Sequence, residues 1–521
     1  MSKIQNKGRV CVPVCARRAG ELRGALARAA EFADIIELRL DCLEEHQLEA
    51  ALLELGALRP AYTQPFIYTL RPAGQGGGRS LGCEERASFW LNRFQGARGA
   101  LREDLDFVDI ELELLESAFG PRLLEVFGRS RIICSQHDFA GVPAGLERIY
   151  ERMAETSAAI LKIAVRADEA TDCLEVFGLI ERARREGRAL IAVAMGEAGI
   201  MTRLLGPARG SFLTYGALDA AQATAPGQLD ASDLRQLYRV QALDERTQIT
   251  GLVGRPVSHS LSPHIHNAAF DALGLDAVYA PFDVGDVGAF VRRMAHPRTR
   301  ELGWNLRGLS VTAPHKSAVM EYLDHVEPTA GEIGAVNTVV VEGGELHGYN
   351  TDAAASIRPL SGVIELPRAR AALIGAGGAA RALLWGLSAS GARTTLFARD
   401  AARAQVLAGK FGASVNQLGD ASFESYDLVI NATPLGSRGP REQETPATTA
   451  QLRGARVVYD LVYNPTETRL LREAREAGCV TIGGLPMLIA QAAAQFELWT
   501  GKKAPLEVML AAAEKGLEAR G

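Results

Sequence analysis

No uninterrupted apolar run of about 18 residues occurs in this chain, so no membrane-spanning helix is expected. The first residues, MSKIQNKGRVCVPV, have no apolar signal-peptide core ahead of the first strand-like run. Cysteine is scarce and scattered, at Cys11, Cys15, Cys42, Cys83, Cys134, Cys173 and Cys479. The odd number and the lack of metal-ligand spacing exclude a disulfide framework and give no metal site. The expectation is reduced thiols, no metal and a cytoplasmic location. Positive charge is not in excess: 57 Lys and Arg against 62 Asp and Glu leave a net charge of −5. That argues against a nucleic-acid or anionic-membrane partner. What remains is a globular composition, 47% hydrophobic and 23% charged, spread over 521 residues. This is too long for one core and predicts two to four domains.

The first 215 residues have a rhythm. Short apolar runs at Val10–Cys15, Ile35–Leu40, Phe66–Leu70, Phe107–Leu112, Arg131–Ser135, Ala159–Ala164, Ala189–Met195 and Ser211–Thr214 alternate with helix-period stretches such as Gly20–Phe32 and Ala170–Glu186. Eight such runs predict a (β/α)8 barrel; an open doubly wound sheet is the alternative. Gln228–Ala242 reads as a final helix and Leu243–Gln248 as a linker. A second α/β pattern begins at Ile249. The expected domains are 1–242, 248–352 and 353–485, with helical 486–517 packing back on the middle one.

Barrel enzymes carry their chemistry at the C-terminal ends of the strands. There this chain has Glu37, Arg39 and Asp41 (IIELRLD), Arg71 after the third run, His137 (SQHDF), Lys162 (LKIAV) and Arg203. A lysine inside an apolar strand is costly to bury charged. Desolvation would favour the neutral amine that attacks a ketone to form a Schiff base. Snorkelling between barrel and helices is the competing reading. His137 suits either a structural role or a base beside the amine. Arg71 and Arg203 suit a carboxylate clamp or plain solvation.

The pieces IELRLD, YTLRP, SQHDF, LKIAV, AMGEAGIMTR and ATAPGQL, in that order over about 230 residues, resemble type I 3-dehydroquinate dehydratase. The resemblance implies that Lys162 forms an imine with the substrate's C3 ketone and that His137 moves the C2 proton. It implies that Arg203 and Gln228 hold the carboxylate end, Glu37, Arg39 and Arg71 the ring hydroxyls and loops, and that Thr224 also binds substrate. One departure is Gln75-Gly76-Gly77 where the family has Glu-Gly-Gly; Gln75 can hydrogen-bond but carries no charge. Another is Thr202 in place of a common serine, which keeps the hydroxyl.

Further on, AALIGAGGAAR (Ala371–Arg381) orders a strand, a glycine turn at Gly375, Ala376, Gly377 and Gly378, and a helix opening at Ala379. That order suits a dinucleotide pyrophosphate. After the next strand, Thr394–Phe397, Arg399 stands where NAD sites place an acid, and Arg403 follows one helical turn on. Two guanidiniums suit a 2′-phosphate and favour NADP(H); Asp400 argues the other way. Ser260 and Ser262, two apart in a stretch read as extended, offer paired hydroxyls; a helix cap before Pro263 is the alternative.

These blocks, with Ser310–Lys316, Ala335–Thr338, Tyr349–Asp352, Val429–Gly436, Tyr459–Pro465 and Gly483–Leu488, closely resemble shikimate dehydrogenase from Ile249 to about Gly516. The resemblance implies a substrate domain followed by a Rossmann domain. Ser260 and Ser262 would bind the shikimate carboxylate, and Thr312, Asn337, Tyr463 and Gln491 would surround the ring. Lys316 and Asp352 would be the catalytic pair; Thr433, Gly484 and Met487 would join the glycines at the cofactor. The combined expectation is a bifunctional enzyme of aromatic precursor synthesis. It would dehydrate 3-dehydroquinate and reduce the 3-dehydroshikimate formed to shikimate. The alternatives are a metabolite-binding regulatory protein without turnover, or a second half that acts on quinate.

Overall fold

Strands of period two build the first sheet. The computed structural model describes residues 8–94, 101–102, 104–219, 222–419 and 421–519. Its strands are β1 (Val10–Val14), β2 (Ile35–Arg39), β3 (Phe66–Thr69), β4 (Phe107–Glu111), β5 (Ile132–Asp138), β6 (Ile160–Arg166), β7 (Ala189–Met195) and β8 (Thr214–Tyr215). They are laid side by side in the order β7 to β1 and then β8. Neighbours pair in parallel throughout. No ladder joins β7 to β8, but the Phe212 N–H donates to the Leu190 carbonyl at 2.7 Å across that seam. The barrel is therefore nearly closed.

Alternation along each strand separates two faces. Val10, Val12, Ile36, Leu38 and Leu161 belong to the large core under the surrounding helices. Cys11, Ile35, Ile67, Ile133, Ile160, Ile191 and Leu213 form a separate apolar layer inside the barrel. Two residues further along the same faces come Glu37, Thr69, Ser135 and Lys162, so the site is built on an apolar plug.

Two sequence expectations need correction here. The segment 228–242 is helical only at 231–237. Arg239 has a positive φ of 52°, which ends the helix, and its guanidinium reaches Asp271 and the Ala277 carbonyl in the next domain. The thiols are not all unpaired: Cys15 and Cys42 form a disulfide with Cα atoms 5.4 Å apart. They lie 27 residues apart in sequence, but they follow the adjacent strands β1 and β2, whose pairing brings their ends together. The other five cysteines are free.

The second sheet has β9 (Gln248–Gly254), β10 (Ala277–Asp283), β11 (Leu306–Val311), β12 (His325–Val326), β13 (Thr338–Glu342) and β14 (Glu345–Tyr349), in the order β10-β9-β11-β13-β14-β12. The helices Leu485–Thr500 and Leu506–Glu518 pack on it, joining Ile489, Phe496, Trp499 and Met509 to Ile265, Phe270 and Tyr279 in one core. Between them in sequence lies a third, parallel sheet. Its strands are β15 (Arg370–Ile374), β16 (Arg393–Phe397), β17 (Ser414–Asn416), β18 (Leu428–Asn431), β19 (Val457–Asp460) and β20 (Val480–Ile482). Their order, β17-β16-β15-β18-β19-β20, is the Rossmann arrangement, with the switch point between β15 and β18.

Barrel and second sheet share the core that includes Leu205, Leu243, Ile249 and Trp304. At the barrel mouth Glu169 accepts from Arg255 (2.9 Å) and from the Gly285 N–H (2.8 Å), and Arg255 also pairs with Asp283 (2.6 Å). Among the described residues no helix is long and apolar enough to cross a membrane.

Candidate active sites

Charge converges just above the apolar layer of the barrel. Lys162 Nζ lies 3.0 Å from Glu37 Oε1 and 2.9 Å from Asp109 Oδ2, with the Tyr215 ring centroid at 4.4 Å. Lysine burial, expected from the sequence, is found: the residue is 5% exposed and faces inward rather than snorkelling. Its surroundings are not apolar alone, because two carboxylates bracket the amine. Arg71 is not solvated either. Its Nη2 binds Asp109 at 2.6 Å, and its Nη1 binds Glu111 (2.9 Å) and Ser135 Oγ (2.6 Å). Burial alone would push Asp109 up; Arg71 and Lys162 together outweigh it and hold the carboxyl well below its ordinary value.

His137 lies within β5 rather than after it, one strand from Lys162. Its backbone N–H donates to Gln75 Oε1 at 3.1 Å, and its Nδ1 is 3.3 Å from the same oxygen. Burial, then the nearby Arg71 and Lys162 cations, push the imidazole well below its ordinary pKa, with Asp109 opposing. The ring is thus neutral and available as a base. Arg39 is held by Asp41 in a two-pronged contact at 2.8–2.9 Å.

Arg203 differs from the other arginines. It is 2% exposed, its Nε has no partner among the described residues, and its Nη2 makes only a 3.4 Å contact to the Pro226 carbonyl. Burial lowers its pKa to about 10. A guanidinium buried without an acid is a seat for an anionic ligand group. Thr224 and Gln228 line the same cavity and bind each other at 2.8 and 3.2 Å. Thr202 does not line it; its hydroxyl donates to the Gly199 carbonyl and accepts the Ala194 N–H. The sequence reading passed over Asp109, Glu111 and Ser135. The signal was FVDIE, an apolar strand with two acids on one face.

The second cleft lies between the second and third sheets. Lys316 Nζ is 2.6 Å from Asp352 Oδ2. The other Asp352 oxygen accepts from Asn337 Nδ2 at 2.8 Å, and the Asn337 side chain is tied to Thr351. Gln495, also passed over, donates to the Asn337 carbonyl and to Thr338 and accepts from Ser310. It sits one helical turn from Gln491 on the helix Leu485–Thr500. Ser260, Ser262, Thr312, Tyr463, Gln491, Gly484 and Met487 all line this cleft. The serine stretch is not extended: Ser262 opens a helix before Pro263, and its N–H donates to Ser260 Oγ at 3.1 Å. Both serines nonetheless face the cleft.

A third cleft follows the glycine turn. Gly375, Ala376, Gly377, Arg399, Asp400, Thr433 and Arg441 line it. Gly375 has φ of +115°, and a Cβ there would stand 3.0 Å from the Ala432 carbonyl, so only glycine fits. Gly377 caps the helix Gly378–Ala389, and nothing lies within 4 Å of where its Cβ would be. That open approach to a helix N-terminus suits a pyrophosphate. Gly378 would meet Lys316 Cδ at 3.3 Å, so the turn abuts the second cleft, and Ala379 lines that cleft. The Arg403 side chain lies outside the described residues.

A type I 3-dehydroquinase model matches residues 10–245. A shikimate dehydrogenase substrate-binding model matches 252–339, and a shikimate 5′-dehydrogenase C-terminal model matches 484–514. The chloroplastic bifunctional 3-dehydroquinate dehydratase/shikimate dehydrogenase of Arabidopsis thaliana is 33% identical over 97% of this chain and 84% of its own length. The chain belongs to this bifunctional family. Its barrel is the dehydratase half, a lyase, and the rest is the dehydrogenase half, an oxidoreductase of the shikimate pathway. The dehydrogenase half is also similar to the NADP(+) shikimate dehydrogenase of Moorella thermoacetica, 46% identical over 50% of this chain and 91% of that protein. A solved shikimate dehydrogenase from Thermus thermophilus, in complex with NADP(H) and shikimate, is 36% identical and covers 52% of this chain and all of its own, at a TM-score of 0.46.

Proposed function

We propose a division of labour among these residues. In the dehydratase half, the carboxylate of 3-dehydroquinate docks on Arg203, with Thr224 and Gln228 beside it. The C3 ketone then lies over Lys162, whose amine attacks it and loses water to give an imine. Glu37 and Asp109 hold the Lys162 nitrogen between them, and neutral His137 on the neighbouring strand takes the proton that the attacking amine releases and returns it to the departing water. The protonated imine acts as an electron sink and acidifies C2. Neutral His137 takes that proton and passes it to the C1 hydroxyl, which leaves as water; hydrolysis of the imine then frees 3-dehydroshikimate and the Lys162 amine. Arg39 and Arg71 hold the ring hydroxyls. The observation that carries this reading is the buried Lys162 amine, with His137 on the neighbouring strand and the Arg203 guanidinium, its Nε without a partner among the described residues, lining the same cavity.

The dehydrogenase half receives 3-dehydroshikimate. Ser260 and Ser262 take its carboxylate, and Thr312, Asn337, Tyr463 and Gln491 surround the ring. NADPH, when bound, supplies the hydride. Gly375, Ala376, Gly377, Gly378, Ala379 and Thr433 would hold its phosphates, Gly484 and Met487 its nicotinamide end, and Arg399 with Arg403 its 2′-phosphate. Lys316 donates a proton to the carbonyl oxygen as negative charge builds there. Asp352, oriented by Asn337, holds that lysine in place. The domains divide as 1–242, 248–352 with 486–517, and 353–485. The five free thiols favour the cytoplasm.

Borohydride reduction tests the imine. With 3-dehydroquinate present it should fix substrate mass on the wild-type chain. It should fix none on Lys162→Ala, nor on Lys162→Arg, which keeps a positive charge between Glu37 and Asp109. An adduct on either variant refutes the assignment.

A further inference from the structure

One cluster of ligating side chains belongs to neither half's chemistry. β12 pairs in parallel with β14, and His325 stands directly opposite His347. Residues two apart on a strand share a face, so Glu345 joins the two histidines on one side of the sheet. The imidazole rings stack at a centroid distance of 4.8 Å, 24° from parallel, and His325 Nε2 lies 2.9 Å from Glu345 Oε2. One donor atom from each residue falls within 4.8 Å of the other two. None of the three lines the barrel cavity, the cleft at Lys316 or the glycine cleft.

The backbone holds these donors in register. Between Glu345 and His347, Leu346 exchanges two hydrogen bonds with Asp324, the residue before His325. The Asp324 N–H donates to the Leu346 carbonyl at 3.1 Å, and the Leu346 N–H donates to Asp324 Oδ2 at 2.8 Å. His296 Nε2 lies 3.0 Å from the same carboxylate oxygen, and Arg298 pairs with the other. Asp324 therefore clamps the short edge strand to β14 at the level of the three side chains. A ligand set held by its backbone loses less freedom on closing round an ion. Two imidazoles and one carboxylate make a donor set for zinc and its neighbours in the first transition row, not for calcium or magnesium. Among the described residues the competing cation is Arg298, whose Nη1 lies 3.7 Å from Glu345 Oε1.

We propose that His325, Glu345 and His347 bind one divalent transition-metal ion of zinc's class, with water in the remaining positions. The ion bridges β12 and β14 and takes no part in either reaction. The test titrates full-length protein with Zn2+ against a chromophoric zinc competitor. His347→Ala and His325→Ala should each lose one equivalent, or weaken it at least about tenfold, while both keep wild-type dehydratase and dehydrogenase turnover. Glu345→Gln should weaken the same equivalent. Arg298→Ala, which removes the competitor and no donor, should bind at least as tightly as wild type. Wild-type protein that takes up no zinc, variants that bind it unchanged, or loss of binding in Arg298→Ala would each overturn the proposal.

Discussion

Gln75→Glu changes one atom type beside the dehydratase base and should shift its pH profile. Gln75 Oε1 stands 3.3 Å from His137 Nδ1 and 3.1 Å from its backbone nitrogen, so the glutamate side chain fits the same contacts. In the wild type, burial and the Arg71 and Lys162 cations hold His137 well below its ordinary pKa. The base is therefore neutral, and active, down to mildly acid pH. A carboxylate at about 4 Å with an effective dielectric near 20 contributes roughly 4 kcal/mol, or about 3 pH units, before its own desolvation. Arg39, whose Nη2 lies 3.3 Å from the Gly76 carbonyl, would share the new charge and reduce the effect. The expected rise is about 1–2 units. Because the base works unprotonated, raising its pKa moves the acid limb of kcat/KM to higher pH: activity is lost earlier as pH falls. The assay follows formation of the conjugated product across the acid range, with the dehydrogenase profile of the same protein as internal control. An acid limb that stays in place in a folded, active Gln75→Glu enzyme would refute the electrostatic reasoning.

Three further outcomes follow from the geometry. Asp352→Asn removes the charge that holds Lys316 at 2.6 Å and should lower shikimate dehydrogenase kcat about 10²- to 10⁴-fold, while NADP(H) affinity by fluorescence titration stays unchanged. Arg203→Met keeps the apolar stem and removes a buried guanidinium that has no acid partner among the described residues. It should raise the melting temperature and yet cut kcat/KM for 3-dehydroquinate by about 10- to 150-fold, the worth of one charge-assisted hydrogen bond. Arg399→Ala should reduce the preference for NADPH over NADH by at least about tenfold in steady-state kinetics, with NADH turnover unaffected.

Much of this was legible in the chain because strand alternation and local order are local properties. The eight runs gave the barrel strands, and period two put Glu37, His137 and Lys162 on inner faces. What was not legible depends on closure. Asp109 meets Lys162 across 53 positions of sequence and Arg71 meets Asp109 across 38, contacts made by the curvature of the sheet rather than by any run of residues. The solvated reading of Arg71 failed for that reason, although FVDIE carried a readable hint. Gln495 was hidden because a buried amide in an alanine-rich helix looks like a gap in an apolar stripe until its partners on the next sheet are in place. The Cys15–Cys42 bridge likewise needs β1 beside β2. The final barrel helix was overestimated because residue propensities cannot anticipate the positive φ at Arg239.

The central claim is that one chain dehydrates a ketone to its conjugated enone at Lys162 and reduces that carbonyl at Lys316. A single vessel tests it: 3-dehydroquinate and NADPH, with shikimate and NADPH both measured. Wild type should consume one NADPH per shikimate formed. Lys162→Arg should consume none from 3-dehydroquinate, yet proceed at the wild-type rate when given 3-dehydroshikimate. NADPH oxidation from 3-dehydroquinate by Lys162→Arg, or none by the wild type, would contradict the account.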